Sequence, residues 1–173
     1  MPSLVGSEMC IRDSSYMEQI MTIEDEKREA EIRALQMQIN PHFIYNTLDT
    51  IIWLIEGGQN DDAVEMISNL SVFFRTSLSK GNDVITLSEE KRHTVSYLEI
   101  QQSRYRDILE FEIHIPEEFN EVMVPKLTLQ PLIENAIRYG LEQSTQICRV
   151  QLSVRRQGAQ LVLLVQNDGS LYE

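Results

Sequence analysis

Three groups of residues have the types and spacing for chemistry. His42 lies in QINPHFIYNTLDT, Gln38 to Thr50, directly after Pro41, with Asn40 before it and Asn46 one helical turn later. A neutral imidazole nitrogen is a good nucleophile toward phosphorus when its other nitrogen is held by an acceptor, and two amides stand on either side to help. In LQPLIENAIRYGL, Glu134 and Asn135 adjoin on a helical pattern, with Arg138 and Tyr139 one turn on. Carboxylate or amide oxygens and a guanidinium then flank one ligand, and a magnesium ion bridging phosphates takes a few protein oxygens plus water. The third group is Asn167, Asp168 and Gly169 in QNDGSLYE, where a side chain reads a base edge and the glycine lets the ligand approach. Taken singly, each has an ordinary reading: a histidine beside an apolar stripe, solvated polar residues on a helix, and a turn.

The elements that position these groups follow from the hydrophobic period. EDEKREAEIRA, Glu24 to Ala34, consists of strong helix formers, and Ile32, Leu35 and Ile39 extend it as a coiled-coil seam that reaches His42 and Asn46. Pro41 interrupts that seam, and a proline inside a helix removes a donor and bends the chain. Ile44, Leu48, Ile51, Ile52 and Ile55 then predict the buried face of a helix, and Gly57 to Asn60 a turn. A second helix carries Ala63, Ile67, Leu70, Phe74 and Leu78 on one face. Two helices on a short turn lie antiparallel, and their uncovered apolar surface predicts a dimer closing into a four-helix bundle.

After a break at Gly81 and Asn82, TLSE from Thr86 to Glu89 predicts a capping box. The helix it opens runs to about Arg104, with Val95, Leu98 and Gln102 inward, and links the hairpin to the C-terminal third of the chain. From Leu109 the period changes to two. LEFEIHI alternates, PEEFNEVMVPK reads as loop, LTLQPLIENAIRYG as helix, and CRVQLSVRRQGAQLVLLVQNDG as two strands about a Gln157–Gly158 turn. The fold class is therefore α+β: an antiparallel helical hairpin followed by a partial α/β sandwich, with the division near Asp107. Three regions result: a leader over 1–23, a helical region over 24–106 and a mixed region over 107–173.

Composition narrows the function. The 173 residues carry 15 basic against 27 acidic side chains, a net charge of −12, which argues against nucleic acid or an anionic membrane surface as the main partner. The longest apolar runs, IIWLI and LVLLV, fall far below the roughly 18 residues of a spanning helix. Cys10 and Cys148 lie far apart with no CxxC and no histidine at metal spacing, so zinc is unsupported. The opening MPSLVGSEMCIRDSS has no period and is not a signal peptide; it reads as a non-native or disordered leader outside the fold.

In this order the three groups have a family. ALQMQINPHFIYNTLDTI resembles the phosphoacceptor region of the LytS/YesM-type sensor histidine kinases, whose pattern is close to LQxQINPHFLFNxLNxI. LSEEKRHTVSYLEIQQSRY resembles the next helix of that family, and VPKLTLQPLIENAIRYG its nucleotide-binding N box, so the match covers about residues 31–169. The resemblance implies a two-component kinase that, as a homodimer, uses ATP and Mg2+ to phosphorylate itself on histidine. The phosphoryl group then passes to an aspartate in the receiver domain of a response regulator. On this carry-over His42 is the phosphoacceptor, and Asn46 matches a position that orients water for regulator dephosphorylation. Asn135 matches the magnesium-holding asparagine, with Glu134 beside it as a water or metal partner. Arg138 and Tyr139 match positions along the phosphates and adenine, and Asn167, Asp168 and Gly169 match the adenine side.

Departures from the pattern shape the expectation. Many relatives have lysine and histidine where Arg138 and Tyr139 stand; Asn167 stands where aspartate often meets adenine, and Leu171 near an expected glycine. The lid, the second glycine-rich segment and the final strand of that nucleotide fold have no counterpart. The chain thus reads as an internal fragment of a longer kinase, inactive alone, from the cytoplasmic portion of a bacterial inner-membrane protein that meets the membrane only through segments outside this chain. Two other classes stay open: a non-catalytic helical interaction module, and an ATPase of the same nucleotide fold without histidine phosphorylation.

Overall fold

The computed structural model describes residues 15–28, 30, 40–78, 81, 83–143 and 147–168. These divide into two compact units, one ending at Phe43 and the other beginning at Ile44. In the first, residues 15–28 form a helix, α1, on which every residue is exposed. Residues 15–23 of the stretch read as a leader are thus helical. The seam residues Ile32, Leu35 and Ile39 lie outside the described residues.

Helix α2, Pro41–Glu56, begins at the proline itself. At this first helical position the missing N–H is one that a helix leaves unbonded, and the fixed φ suits helix entry. Asn40 caps the turn twice over: its Oδ1 accepts the His42 N–H at 3.0 Å, and its carbonyl accepts the Phe43 N–H at 3.0 Å. At the other end Gly58 takes φ +76, with Gln59 N–H on the Leu54 carbonyl and Gly58 N–H on the Ile55 carbonyl. That pair of bonds is a Schellman cap, and it needs a residue at ease with positive φ. Helix α3, Asn60–Ser77, follows at once, with Asp61 and Asp62 in its first turn, where the helix dipole favours acids.

The buried faces of α2 and α3 match the expected ones only in part, at Ile51, Ala63 and Leu70. On α2 the buried residues are Phe43, Thr47, Ile51 and Leu54, whereas Leu48, Ile52 and Ile55 are about half exposed, at 44%, 53% and 52%. On α3, Ala63, Met66, Leu70, Phe73 and Ser77 are buried, and Ile67 and Leu78 are exposed. Each helix therefore carries two apolar stripes, and the fold covers one of them.

Strand β1, Val84–Thr86, leads into α4, Leu87–Arg104. The predicted capping box is present: Glu89 N–H donates to Thr86 Oγ1 at 3.2 Å, and Thr86 N–H to Glu89 Oε2 at 2.9 Å. The Thr86 N–H and hydroxyl, both donated to Glu89 Oε2, hold that carboxyl below its usual range. α4 packs against α3 and also against the strands, so Leu87, Glu90, His93, Tyr97, Leu98 and Ile100 are all buried. Of the three residues expected inward, only Leu98 is fully buried. Residues 105–108 form a hydrogen-bonded turn, with the Ile108 and Leu109 N–H groups both on the Tyr105 carbonyl.

Strand β2, Leu109–His114, pairs in parallel with β4, Cys148–Gln157, which pairs antiparallel with β5, Gln160–Asn167. The sheet order is β2-β4-β5. The β4–β5 hairpin turns through Gly158 at φ +62, one residue on from the predicted turn centre. The parallel pair requires a crossover. It contains a short 3-10 turn, Glu117–Phe119, strand β3, Met123–Pro125, and helix α5, Gln130–Gln143. β3 pairs antiparallel with β1, so the segment read as loop contains a strand. α5 covers one face of the sheet, and Leu129, Leu152, Val154, Phe119, Ile115, Val124 and Leu87 form a common core. Mixed α and β elements in these proportions make the α+β class, with helix packed on sheet. No described helix is long and apolar enough to cross a membrane.

Candidate functional site

His42 occupies the second position of α2 and is exposed, with its backbone N–H already taken by Asn40. Asn46 follows one turn later, half-buried, and its carbonyl accepts the Thr50 hydroxyl at 2.8 Å.

The second group gathers on α5. Asn135, Arg138 and Tyr139 are exposed and linked: Arg138 Nη2 donates to Asn135 Oδ1 at 3.1 Å and to Tyr139 Oη at 3.2 Å. The guanidinium also lies 4.8 Å from the Tyr139 ring centre, a cation–π distance. Glu134 is half-buried beside Asn135, and its Oε1 accepts Gln130 Nε2 at 2.7 Å. The face therefore offers two kinds of oxygen next to one guanidinium.

α5 can sit this close to the sheet because residue 140 is glycine. A Cβ there would overlap the sulfur of buried Cys148 on β4. Burial, with Asp168 nearby, raises the Cys148 thiol above its ordinary range. Asn167, at the end of β5, donates Nδ2 to the Ala136 carbonyl at 3.0 Å and so ties the strand to α5 behind the Asn135 face. Asp168 does other work: its Oδ1 accepts the Arg149 N–H at 2.9 Å, closing β5 onto β4. Gly169 lies outside the described residues.

A cavity of about 320 Å³ is lined by Asn167 and Asp168 together with Glu110, Glu112, Arg149 and Gln151 among others. Arg149 alternates with Cys148, which faces α5, so this cavity lies on the sheet's open side and does not include the α5 group.

Sequence reasoning missed the residues behind α5. Glu90 and His93, three apart on α4, are fully buried against its entry. Glu90 accepts the Leu127 N–H on Oε2 at 3.0 Å and the Leu129 N–H on Oε1 at 2.8 Å, fixing the loop in which Leu127 takes φ +61. His93 Nε2 lies 3.1 Å from Gln130 Oε1, its ring stacked on Phe73 of α3 at 4.6 Å. Burial lowers the His93 pKa to about 4, so the ring is neutral near pH 7. These partners lie 37 and 39 residues from their acids and imidazole, a distance no local pattern spans.

No cluster of three or more His, Cys, Asp or Glu with metal-site geometry exists among the described residues. The donors on α5 suit a different kind of ion. An exposed amide oxygen and an adjacent carboxylate are hard oxygen ligands, and magnesium takes one or two of these with water and phosphate oxygens making up the rest.

Comparison with known proteins adds ancestry to this geometry. The histidine kinase family model matches residues 30–109. Sensor histidine kinase YesM of Bacillus subtilis (strain 168) is 38% identical over 142 residues, which cover 82% of this chain and 25% of that protein. Sensor histidine kinase BtsS of Escherichia coli (strain K12) is 37% identical over 145 residues, 84% of this chain and 26% of its own length. Sensor protein LytS of Bacillus subtilis (strain 168) is 33% identical over 143 residues, 82% of this chain and 24% of its own. The chain thus spans about a quarter of the length of the curated relatives it matches. On these matches, it belongs to the LytS/YesM-type sensor histidine kinases.

Proposed function

We propose that the protein carrying this chain autophosphorylates on His42 with ATP and passes the phosphoryl group to an aspartate of a response-regulator receiver domain. The observation that carries this reading is the exposed His42 at a capped helix start, in a chain that also presents the Glu134–Asn135–Arg138 face. The imidazole attacks the γ-phosphorus of ATP, its N–P bond forming as the bond to the ADP oxygen breaks. Such a transfer asks of the protein mainly positioning and charge neutralisation.

On this reading Arg138 supplies a fixed positive charge along the phosphates, and Tyr139 lies on the adenine side. Asn135 and Glu134 hold magnesium, which when bound neutralises phosphate charge. Asn167 uses its Nδ2 on Ala136, so its Oδ1 is the atom that meets the base. Asn46, one turn after His42, orients water for dephosphorylation of the regulator. The helical region over 24–106 is the dimerisation and phosphotransfer part, and 107–173 the nucleotide-binding part. The exposure of Leu48, Ile52, Ile55, Val64 and Ile67 on α2 and α3 supports a homodimer with a four-helix bundle, because exposed apolar surface is what an interaction partner covers. The segment belongs to the cytoplasmic portion of a membrane-anchored kinase.

The test is incubation of the full-length protein and its His42→Gln variant with labelled ATP. We expect acid-labile label on the parent and none on the variant; equal labelling of both overturns the reading.

A further inference from the structure

Behind the exposed face of α5 a buried polar chain ends on Glu134. Gln130 Nε2 is 2.7 Å from Glu134 Oε1, and a carboxylate only accepts, so the Gln130 amide must point its N–H there. Its Oε1 then faces His93 Nε2 at 3.1 Å, and that nitrogen must carry the proton. Nδ1 makes no well-formed hydrogen bond, although the Phe73 backbone lies close enough to act on the ring. His93 is 0% and Gln130 5% exposed, so neither is held in place by water.

The arrangement is more than packing requires. An apolar side chain at 93 would stack on Phe73 without burying an imidazole nitrogen that lacks a well-formed hydrogen bond, and such a loss calls for an explanation. The explanation lies at the far end. Gln130 and Glu134 are one turn apart on α5, and the amide takes Oε1, which fixes the rotamer of a half-buried carboxylate adjacent to Asn135. Oε2 takes no hydrogen bond among the described residues.

We propose that His93 and Gln130 are positioning residues: through the relay His93–Gln130–Glu134 they hold the Glu134 carboxylate oriented to receive magnesium–ATP beside Asn135. This rests on the reading of α5 as the nucleotide site. Neither residue touches the ligand. Outer partners of metal-binding groups act in this way, setting orientation and basicity, and their loss weakens metal binding by about 10- to 100-fold.

The test is calorimetric titration of magnesium–ATP into the full-length protein. Gln130→Met and His93→Phe each keep the buried volume and break the relay, and we expect about tenfold weaker binding from either. His93→Gln places an amide N–H where Nε2 stands and is expected to bind within about twofold of the parent; a packing role alone would rank phenylalanine above glutamine. In a Glu134→Ala background, Gln130→Met is expected to add less than about twofold, because its effect passes through the missing carboxylate. An undiminished effect there, or parental binding by His93→Phe, overturns the proposal. Should Gln130→Met fail to fold, the comparison of His93→Phe with His93→Gln decides alone. If Glu134→Ala and Asn135→Ala both bind magnesium–ATP like the parent, the nucleotide reading of α5 itself has failed, which is a separate outcome.

Discussion

The carboxylate of Glu90 accepts the N–H of Leu129 at 2.8 Å in a fully buried setting, and its other oxygen takes the N–H of Leu127 at 3.0 Å. One side chain on α4 thus satisfies two amides that precede α5. Glu90→Ala leaves both donors buried without acceptors and is expected to destabilise the protein by roughly 3 kcal/mol. Chemical denaturation measures this, and an effect within experimental error would show that the loop rearranges freely.

Glu90 also has a pH signature. Burial raises its carboxyl above the ordinary 4.5, against the pull of the Leu129, Leu127 and Thr128 amides and of Lys126. A raised folded pKa contributes stability that is full below 4.5 and is lost as pH rises through the folded value. Glu90→Gln cannot ionise. Its stability is therefore expected to rise relative to the parent as pH climbs from 4.5, as read from melting temperatures across that range.

His93 acts in the opposite sense. Its pKa falls from 6.5 to about 4, chiefly through burial, with Lys126 acting the same way and the Gln130 and Phe73 contacts opposing. A depressed folded pKa contributes stability that is present above 6.5 and lost as pH falls through about 4, here roughly 3 kcal/mol in all. His93→Phe should flatten the stability profile over that window. An unchanged slope would mean that other groups dominate acid unfolding.

Gly140 is expected to resist substitution for a packing reason. Alanine normally improves a helix interior by up to about 1 kcal/mol, yet here its Cβ meets the Cys148 sulfur. Gly140→Ala should destabilise by about 1 to 3 kcal/mol as α5 lifts from β4. Cys148→Ala removes the obstacle, so the double variant should recover most of the loss. Strict additivity of the two changes would place the strain elsewhere.

The exposed apolar residues of α2 and α3 make their own prediction. Ile52 and Ile67 are 53% and 50% exposed, so a charge at either position is expected to leave monomer stability nearly unchanged. At a dimer seam the same charge is buried. Ile52→Asp or Ile67→Asp should raise the dissociation constant by about tenfold or more in sedimentation equilibrium. Unaltered association would move the dimer contact to another surface.

What was legible in the sequence was local. The capping box of Thr86 and Glu89 spans four residues and is present as read. The hairpin around Gly158 announced itself through alternation on both sides. β1 and β3 were not legible, since three residues carry too little of a period-two signal. The faces of α2 and α3 were assigned only in part, at Ile51, Ala63 and Leu70, because each helix bears two apolar stripes, and spacing alone does not say which one the chain itself covers. Glu90, His93 and Gln130 are buried polar residues. Their satisfaction comes in large part from segments far along the chain, so pattern reading leaves them on the surface. The α5 group was legible because its members recur at helical spacing, whereas the relay behind it joins two helices.

α4 has a practical consequence for protein engineering. It lies against α3 on one side and β1, β2 and β3 on the others, and Glu90 and His93 bind it to the start of α5. A chimera that grafts a foreign segment after residue 107 keeps α4 but strips it of the surface it was shaped to fit. Sensor exchange between such kinases is better joined upstream of α2, so that α4 travels with the loop and sheet it supports.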